Sequence, residues 1–157
     1  MNHNGIHHVT AIAGPARRNL DFYTRTLGLR LVKRTVNFDD PGTYHFYYGD
    51  ETGRPGTILT FFPWEHATPG RGGVGQAHEA AFRVPEGAIG FWAHRLVEHG
   101  VRHEAPAKRF GETALAFQDR TGRVSPSSAC AAPRPSPAGL GTAATYRPST
   151  PSAACTA

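Results

Sequence analysis

The stretch GIHHVTAIAGPARRNLDFYTRTLGLRLVKRTVNFDD, residues 5–40, predicts the opening of a β-α-β fold. Its segment IHHVTAIAG alternates apolar and polar residues, which is typical of a half-buried strand. Apolar residues then recur at helical spacing until Gly28, a residue type that often ends a helix. These apolar residues are Leu20, Phe22, Tyr23 and Leu27. The pattern therefore puts the pair His7 and His8 at the head of the first strand.

The first 122 residues contain this pattern twice. In module one, about residues 5–66, three segments rich in β-branched and aromatic residues follow the helix, which gives the order βαβββ. In module two, about residues 76–122, AHEAAFRVP reads as a strand, AIGFWAHRLVEHGV as a helix, and RHEAPAKRF and ETALAFQD as strands. The second helix is predicted to turn four side chains inward: Phe91, Trp92, Leu96 and Val97. We therefore predict an α+β fold of paired βαβββ modules, joined by PGRGGVGQ.

The composition changes abruptly at about residue 123. The segment from there to the end has no acidic residue, no Lys and almost no branched aliphatic residues, so it can bury too little apolar surface to offset the entropy of ordering. We therefore expect module two to lack its fourth strand and residues 123–157 to form a disordered Ala/Ser/Pro-rich tail. A shifted reading frame, and hence a truncated product, explains this composition, and a native flexible tail is the alternative. Cys130 and Cys155 are expected to be free thiols.

Several function classes have little support in the sequence. The net charge is +5, but Arg and Lys are scattered among acidic and aromatic residues, so we expect no nucleic-acid partner. No apolar run approaches the ~20 residues that cross a bilayer, and the start carries no signal pattern, so we expect a cytoplasmic protein without a membrane partner. The GxGxxG match at residues 70–75 runs into a strand rather than a helix, which argues against a dinucleotide cofactor.

The alternation of the two first strands selects candidate metal ligands. In module two, the strand buries Ala80, Phe82 and Val84, which leaves Glu79 on the opposite face. The equivalent register in module one turns His8 away from the helix. Imidazole and carboxylate are plausible ligands for a divalent metal, although two ligands hold a metal poorly. His7 is interpreted either as a donor that supports a metal-bound His8 or as a partly buried neighbour. His45, in an aromatic strand, is expected to have a structural role.

The His8 strand, its spacing to Asp21-Phe22-Tyr23 and the helix end Leu27-Gly28-Leu29 resemble the vicinal oxygen chelate superfamily. This superfamily includes glyoxalase I, bleomycin-resistance proteins and extradiol dioxygenases. Within it, the segments IHHVT, LGLRLVKRTVNFDD, YHFYYGD, GRPGTILTFFPW, VPEGAIGFW and RFGE resemble the N-terminal half of ring-cleaving dioxygenases of the hydroquinone type. The similarity covers about residues 5–122.

The resemblance implies an Fe(II) or Mn(II) enzyme that opens a dihydroxylated aromatic ring with O₂. His8 matches the N-terminal metal ligand of that family, and His7 and Thr10 match positions beside the metal, which makes them catalytic candidates. The family's second His and its Glu come from a C-terminal half that this sequence does not contain. Glu79 could replace that carboxylate only in a rearranged or dimeric site. We therefore expect weak or no activity unless a homodimer or a missing C-terminal half completes the site.

Two other functions remain open at this point. Paired chains of the same fold could form a non-catalytic module that binds an aromatic ligand. A glyoxalase-like lyase is also conceivable, but it would need a Glu on the last strand of each module, where Leu59 and Thr60 stand in module one.

Overall fold

A computed structural model describes residues 5–66, 74, 79–85 and 87–119, and the backbone of residues 127–131. Within these residues the chain forms two four-stranded sheets with helices in between along the sequence. The elements are β1 (His8–Ala13), α1 (Ala16–Asp21), a π-helix (Phe22–Thr26), β2 (Arg30–Val36), β3 (Tyr44–Gly49), β4 (Ile58–Pro63), β5 (Glu79–Arg83), α2 (Ile89–Glu98), β6 (Ala107–Arg109), β7 (Glu112–Phe117) and β8 (Ser127–Ala131). The predicted α+β fold of paired βαβββ modules is confirmed.

The two sheets repeat one topology. The first sheet has the order β1-β4-β3-β2, and the second has the order β5-β8-β7-β6. In each module the first and last strands pair in parallel, and the remaining neighbours pair antiparallel. The parallel pairing brings His8 opposite Ile58 in the first sheet and Glu79 opposite Ser127 in the second. His8 and Glu79 therefore occupy equivalent positions in the two modules.

The first helix changes its hydrogen-bond pattern halfway. After α1, the backbone widens into a π-helix, in which the Leu27 N–H donates to the Phe22 carbonyl five residues earlier, at 3.0 Å. The Thr24 hydroxyl donates to the Leu20 carbonyl at 2.7 Å, an interaction that disturbs regular helices. Gly28, with φ of 74°, ends the helix as the sequence predicts.

Aromatic residues fill the core of module one. The ring of Tyr23 stacks on Tyr48 with centroids 5.1 Å apart and lies 4.5 Å from the centroid of Phe61. The Tyr48 hydroxyl donates to the side chain of the buried Asn19 at 2.8 Å, so this interior phenol is satisfied. Of the four apolar residues that recur at helical spacing in this segment, Phe22, Tyr23 and Leu27 are buried, and Leu20 packs against the core at its margin.

The core of module two is built by α2 and β7. Trp92, Leu96 and Leu115 are fully buried, as helical spacing predicts for the first two. The prediction that Phe91 and Val97 face inward is wrong, because these side chains are 37% and 64% exposed. They flank the stripe of positions four residues apart that contacts the sheet, so the apolar face of the helix is narrower than expected.

Contacts across the two modules join them into one unit. The Tyr23 hydroxyl donates to Asp119 Oδ2 at 2.7 Å in a buried position. The guanidinium of Arg95 on α2 donates to the carbonyls of Thr26 and Arg25 at 2.7 and 2.6 Å. These carbonyls lie at the C-terminal end of the π-helix, where backbone acceptors have no partner inside the helix. Module two therefore caps a helix of module one.

The second sheet differs from the sequence-based expectation, because a fourth strand is present. The backbone of β8 pairs in parallel with β5 and antiparallel with β7, so it fills the gap between them. Strand pairing uses backbone groups, and the open edges of β5 and β7 supply them whatever the side chains are. Composition alone therefore missed this strand. The disorder predicted for the rest of residues 123–157, namely 123–126 and 132–157 with Cys155, lies outside the described residues.

β6 is shorter than predicted. The segment RHEAPAKRF was expected to form one strand, but only Ala107–Arg109 pairs with β7, and His103 makes a single bridge to Phe117. Pro106 has no N–H to donate and interrupts the pairing between these two points. The GxGxxG segment at residues 70–75 lies outside the described residues except for Val74. In the described part of the chain, no helix has the length and apolar character needed to cross a membrane.

Candidate functional site

The first candidate ligand, His8, projects from the side of the first sheet opposite the helices. Along β1, exposure alternates so that His8, Thr10 and Ile12 are exposed and the residues between them are turned toward the core. The predicted register of this strand is thus correct. We call the side that carries His8 the outer face of the first sheet. It is also the side on which His45, Tyr47 and Thr60 lie, since hydrogen bonds connect them to Thr10.

His7 and His8 contact each other through their rings. Their Nδ1 atoms are 3.0 Å apart, and the ring planes meet nearly edge to face at 87°. The expectation that His7 is a partly buried neighbour is wrong, because the residue is exposed. His7 precedes β1 and so does not follow the inward and outward alternation of the strand. The contact leaves the Nε2 atoms of both rings for other partners.

The second candidate ligand, Glu79, is engaged by an arginine. Both of its carboxylate oxygens accept hydrogen bonds from Arg109 Nη1, at 2.7 and 2.8 Å. The hydrogen bond with Glu79 and the charge of this carboxylate raise the pKa of Arg109. The pair joins β5 and β6, the two edge strands of the second sheet, so it spans the whole sheet. A cation thus already neutralises this carboxylate.

His8 and Glu79 line one cavity of about 270 Å³ between the modules. Its walls come from the start of β1, the turn before β4 and the strand β5, and most of them are apolar. The other lining residues are Ile6, Val9, Gly56, Thr57, Ile58, Leu59, Ala80, Ala81 and Phe82. A larger cavity of about 590 Å³ lies between the π-helix and the end of α2, and it contains none of the predicted site residues. The structure therefore brings the two candidate ligands together in the smaller cavity.

The described residues do not contain a complete metal site. Among them, no group of three or more His, Cys, Asp or Glu side chains is arranged to hold a metal ion. A facial iron site uses two His and one carboxylate. Here one His and one carboxylate line the cavity, and the carboxylate is paired with Arg109.

The outer face also carries a polar cluster that connects the candidate Thr10 to His45, Tyr47 and Thr60, for which the sequence predicted no catalytic role. His45 Nε2 lies 3.1 Å from Thr60 Oγ1, and Thr60 donates to Thr10 Oγ1 at 2.8 Å. The Tyr47 hydroxyl lies 3.0 Å from His45 Nδ1. Partial burial, together with the charges of His8 and Lys33, lowers the pKa of His45 from its ordinary value. These effects favour the neutral form of the ring.

The sequence carried a signal for part of this cluster. His45 and Tyr47 are two residues apart in the alternating strand TYHFYYGD, which puts them on one face. The link to Thr10 depends on the pairing of β1 with β4, which sets Thr10 opposite Thr60. That parallel pairing joins residues 50 positions apart and could not be read from the local pattern.

This fold and sequence define a class of protein. Residues 5–124 match the family described as the Glyoxalase/Bleomycin resistance protein/Dioxygenase superfamily, and the chain belongs to this family.

Several individual proteins are similar to this chain. It is 54% identical over 119 residues to the Bacillus subtilis protein named "Putative ring-cleaving dioxygenase MhqE", a match that covers 76% of this chain and 39% of that protein. It is 37% identical over 116 residues to a chlorohydroquinone/hydroquinone 1,2-dioxygenase of Sphingobium indicum, covering 73% of this chain and 36% of that protein.

A solved structure shares both the fold and much of the sequence. The crystal structure of a Bacillus subtilis protein described as a "putative dioxygenase" superposes with a TM-score of 0.80 at 46% identity, and it covers 96% of this chain and 46% of that one. The chain thus spans less than half the length of these relatives.

Proposed function

We propose that this chain supplies the N-terminal part of the site of a ring-cleaving dioxygenase that acts on dihydroxylated aromatic compounds with O₂ and uses Fe(II) or Mn(II). The observation that carries the proposal is the position of His8, which is exposed on the outer face and lines an apolar cavity beside Glu79. The relatives named as ring-cleaving dioxygenases support the same reaction class.

His8 is the residue we propose as metal ligand. A neutral imidazole that binds a metal through Nε2 must carry its proton on Nδ1, and a neighbouring acceptor normally fixes that tautomer. His7 Nδ1, at 3.0 Å from His8 Nδ1, can be this acceptor. We therefore propose that His7 supports His8. We also propose that Thr10, which shares the outer face with His8 but does not line the cavity, contacts the part of the substrate that lies outside it.

The residues of this chain do not by themselves fit a complete metal centre. Glu79 already accepts two hydrogen bonds from Arg109, and no third ligand accompanies the pair among the described residues. We propose that the missing ligands come from elsewhere, either from a C-terminal half like that of the longer relatives or from a second copy of the chain. For the chain alone we expect weak metal binding and little or no ring cleavage.

The test measures metal binding and oxygen uptake on the purified full chain. Under anaerobic conditions, Fe(II) is titrated into the wild type and into His8→Ala, with His94→Ala as the matched control on the exposed side of α2. We expect weak binding that is lost in His8→Ala and kept in His94→Ala. Oxygen uptake with hydroquinone is then measured on the same samples. Tight binding that survives His8→Ala would contradict the role of this residue.

A second candidate is a non-catalytic module that binds an aromatic ligand. The specific observation in its favour is the mostly apolar wall of the cavity, combined with the ion pair that occupies Glu79. A volume of about 270 Å³ accommodates a single substituted ring. Hydroquinone binding to chelator-treated protein, unchanged in His8→Ala, would favour this module over the dioxygenase.

A further inference from the structure

A chain of hydrogen bonds crosses three strands on the outer face of the first sheet. It runs from Tyr47 and His45 on β3 through Thr60 on β4 to Thr10 on β1, with successive distances of 3.0, 3.1 and 2.8 Å. Thr60 is fully buried, and the ring of Phe62 packs on His45 with centroids 4.0 Å apart. Thr60 is thus shielded from water and the partly buried ring of His45 is held in place, whereas the last member of the series, Thr10, is exposed.

The direction of the hydrogen bonds in this series follows from counting protons. Thr60 has one hydroxyl proton and gives it to Thr10, so its oxygen must accept from the ring of His45. The proton of His45 therefore lies on Nε2 in either charge state. In the neutral ring, Nδ1 is then the acceptor, and the Tyr47 hydroxyl donates to it. Every donor in the series points toward Thr10.

Thr10 is the end of this series. Its oxygen accepts from Thr60, which leaves its own proton to be donated. Within the described part of the chain, that proton goes to no side chain and no carbonyl group. Because side chains two residues apart in a strand share a face, the Thr10 hydroxyl stands next to His8 on β1. An oriented donor beside His8 fits a ligand that brings an oxygen acceptor to this position.

We propose that His45 is a positioning residue, which acts through Thr60 to set the Thr10 hydroxyl as the hydrogen-bond donor to an oxygen of an aromatic diol bound beside His8. The identity of the ligand rests on the proposed function, but the direction of the hydrogen bonds does not. Tyr47 holds the tautomer of His45, and His45 needs only its Nε2 proton for this role. A side chain that donates at the same place can therefore replace it.

The first test reads the tautomer of His45 directly. Imidazole ¹⁵N chemical shifts are recorded on the full chain with labelled histidine at neutral pH, and His45→Gln assigns the signal. We expect the Nε2–H tautomer in the wild type. Tyr47→Phe removes the donor to Nδ1 and should introduce the other tautomer, whereas His94→Gln should leave the His45 signal unchanged. An Nδ1–H tautomer in the wild type would overturn the proposal.

The second test uses 4-nitrocatechol, whose absorbance reports both binding and ionisation, with metal-free protein. Loss of one neutral hydrogen bond should weaken binding about threefold to tenfold. We expect this loss in Thr10→Val and in His45→Leu, with rescue in Thr10→Ser and in His45→Gln, whose amide can donate to Thr60. Thr35→Val, opposite His45 on β2, is the matched control with unchanged affinity. Equal thermal unfolding midpoints show that the variants remain folded.

The outcomes separate this inference from the proposed function. If Thr10→Val and His45→Leu bind 4-nitrocatechol as well as the wild type, or if the wild type does not bind it, the positioning role is refuted. If the predicted losses and rescues occur while Fe(II) binding and oxygen uptake are independent of His8, the inference stands and the dioxygenase proposal fails.

Discussion

The outer face of the first sheet and the corresponding face of the second carry different chemistry on the same backbone plan. On the first, hydrogen bonds among Tyr, His and Thr side chains connect three neighbouring strands and end at an exposed hydroxyl. On the second, an ion pair between Glu79 and Arg109 links the two edge strands. Under the proposed function, module one would present the Thr10 hydroxyl to a ligand. In module two, the equivalent carboxylate is instead engaged by an arginine of its own sheet.

The largest expected effect tests whether the two modules fold as one unit. Leu115→Ala in β7 opens a cavity in the core of module two and should lower the free energy of unfolding by about 2–5 kcal/mol. The fluorescence of Trp64 in a Trp92→Phe background reports on module one. The fluorescence of Trp92 in a Trp64→Phe background reports on module two. We expect both urea midpoints to shift together. Val97→Ala, at an exposed position, is the control, and a shift confined to Trp92 would show independent modules.

The next effect concerns the buried hydrogen bond between the modules. Asp119→Ala removes the carboxylate that accepts a hydrogen bond from the Tyr23 hydroxyl, and it should lower the free energy of unfolding by about 1–3 kcal/mol. Tyr23→Phe and the double variant complete a mutant cycle in urea denaturation. A coupling energy near zero would mean that this contact does not hold the modules together.

A pH-dependent effect is expected in the turn between β3 and β4. Burial alone would raise the pKa of Asp50, but hydrogen bonds from the Arg54 side chain and from the N–H groups of Arg54 and Thr52 outweigh it and lower the pKa. A carboxyl with a lowered folded-state pKa stabilises the fold above its unfolded pKa of about 4, and this contribution is lost as the pH falls through the folded-state value.

Asp50→Asn should therefore lower the free energy of unfolding by about 1–2 kcal/mol at pH 7. The difference from the free energy of unfolding of the wild type should become smaller at pH 3 and below. Urea denaturation at the two pH values measures it, with Asp39→Asn on the surface as control. A gap that is the same at both pH values would contradict the role of the charged carboxylate.

The smallest effect sharpens the contrast between the two faces. Arg109→Leu removes a partly exposed ion pair and should change the free energy of unfolding by less than about 1 kcal/mol. It also releases Glu79 toward the cavity that it shares with His8. We expect divalent metal binding to become tighter in Arg109→Leu and to return to the wild-type level in the double variant with Glu79→Gln. No gain in the single variant would rule out Glu79 as a ligand in this chain.

The local pattern was sufficient for most of the fold. Alternation predicted the outward direction of His8 and Glu79, and Gly28 correctly marked the end of the first helix. What failed depends on partners distant in sequence. β8 forms because β5 and β7 offer open edges, although its own segment contains no branched aliphatic or aromatic residue. The Arg109 partner of Glu79 lies 30 residues away on the far edge of the sheet.

The candidate site was predicted less completely than the fold. His8 could be placed by register, but the role of His45 depends on Thr60 and Thr10, which meet only through the parallel pairing of β1 with β4. The exposed position of His7 was also missed, since it lies just before the strand that the alternation describes. Side chains at strand ends and links across non-adjacent segments need tertiary information.

The parallel pairing of the first and last strands of each module delays sheet formation during synthesis. β1 is made early, but its neighbour β4 ends at Pro63, and β5 likewise waits for β8, which ends at Ala131. During translation each opening strand thus remains without its partner until about 50 further residues have emerged. Such long-range pairing slows folding, and it leaves an unpaired strand edge that can associate with other chains. For this chain, efficient production should depend on chaperone supply and on slow translation at low temperature.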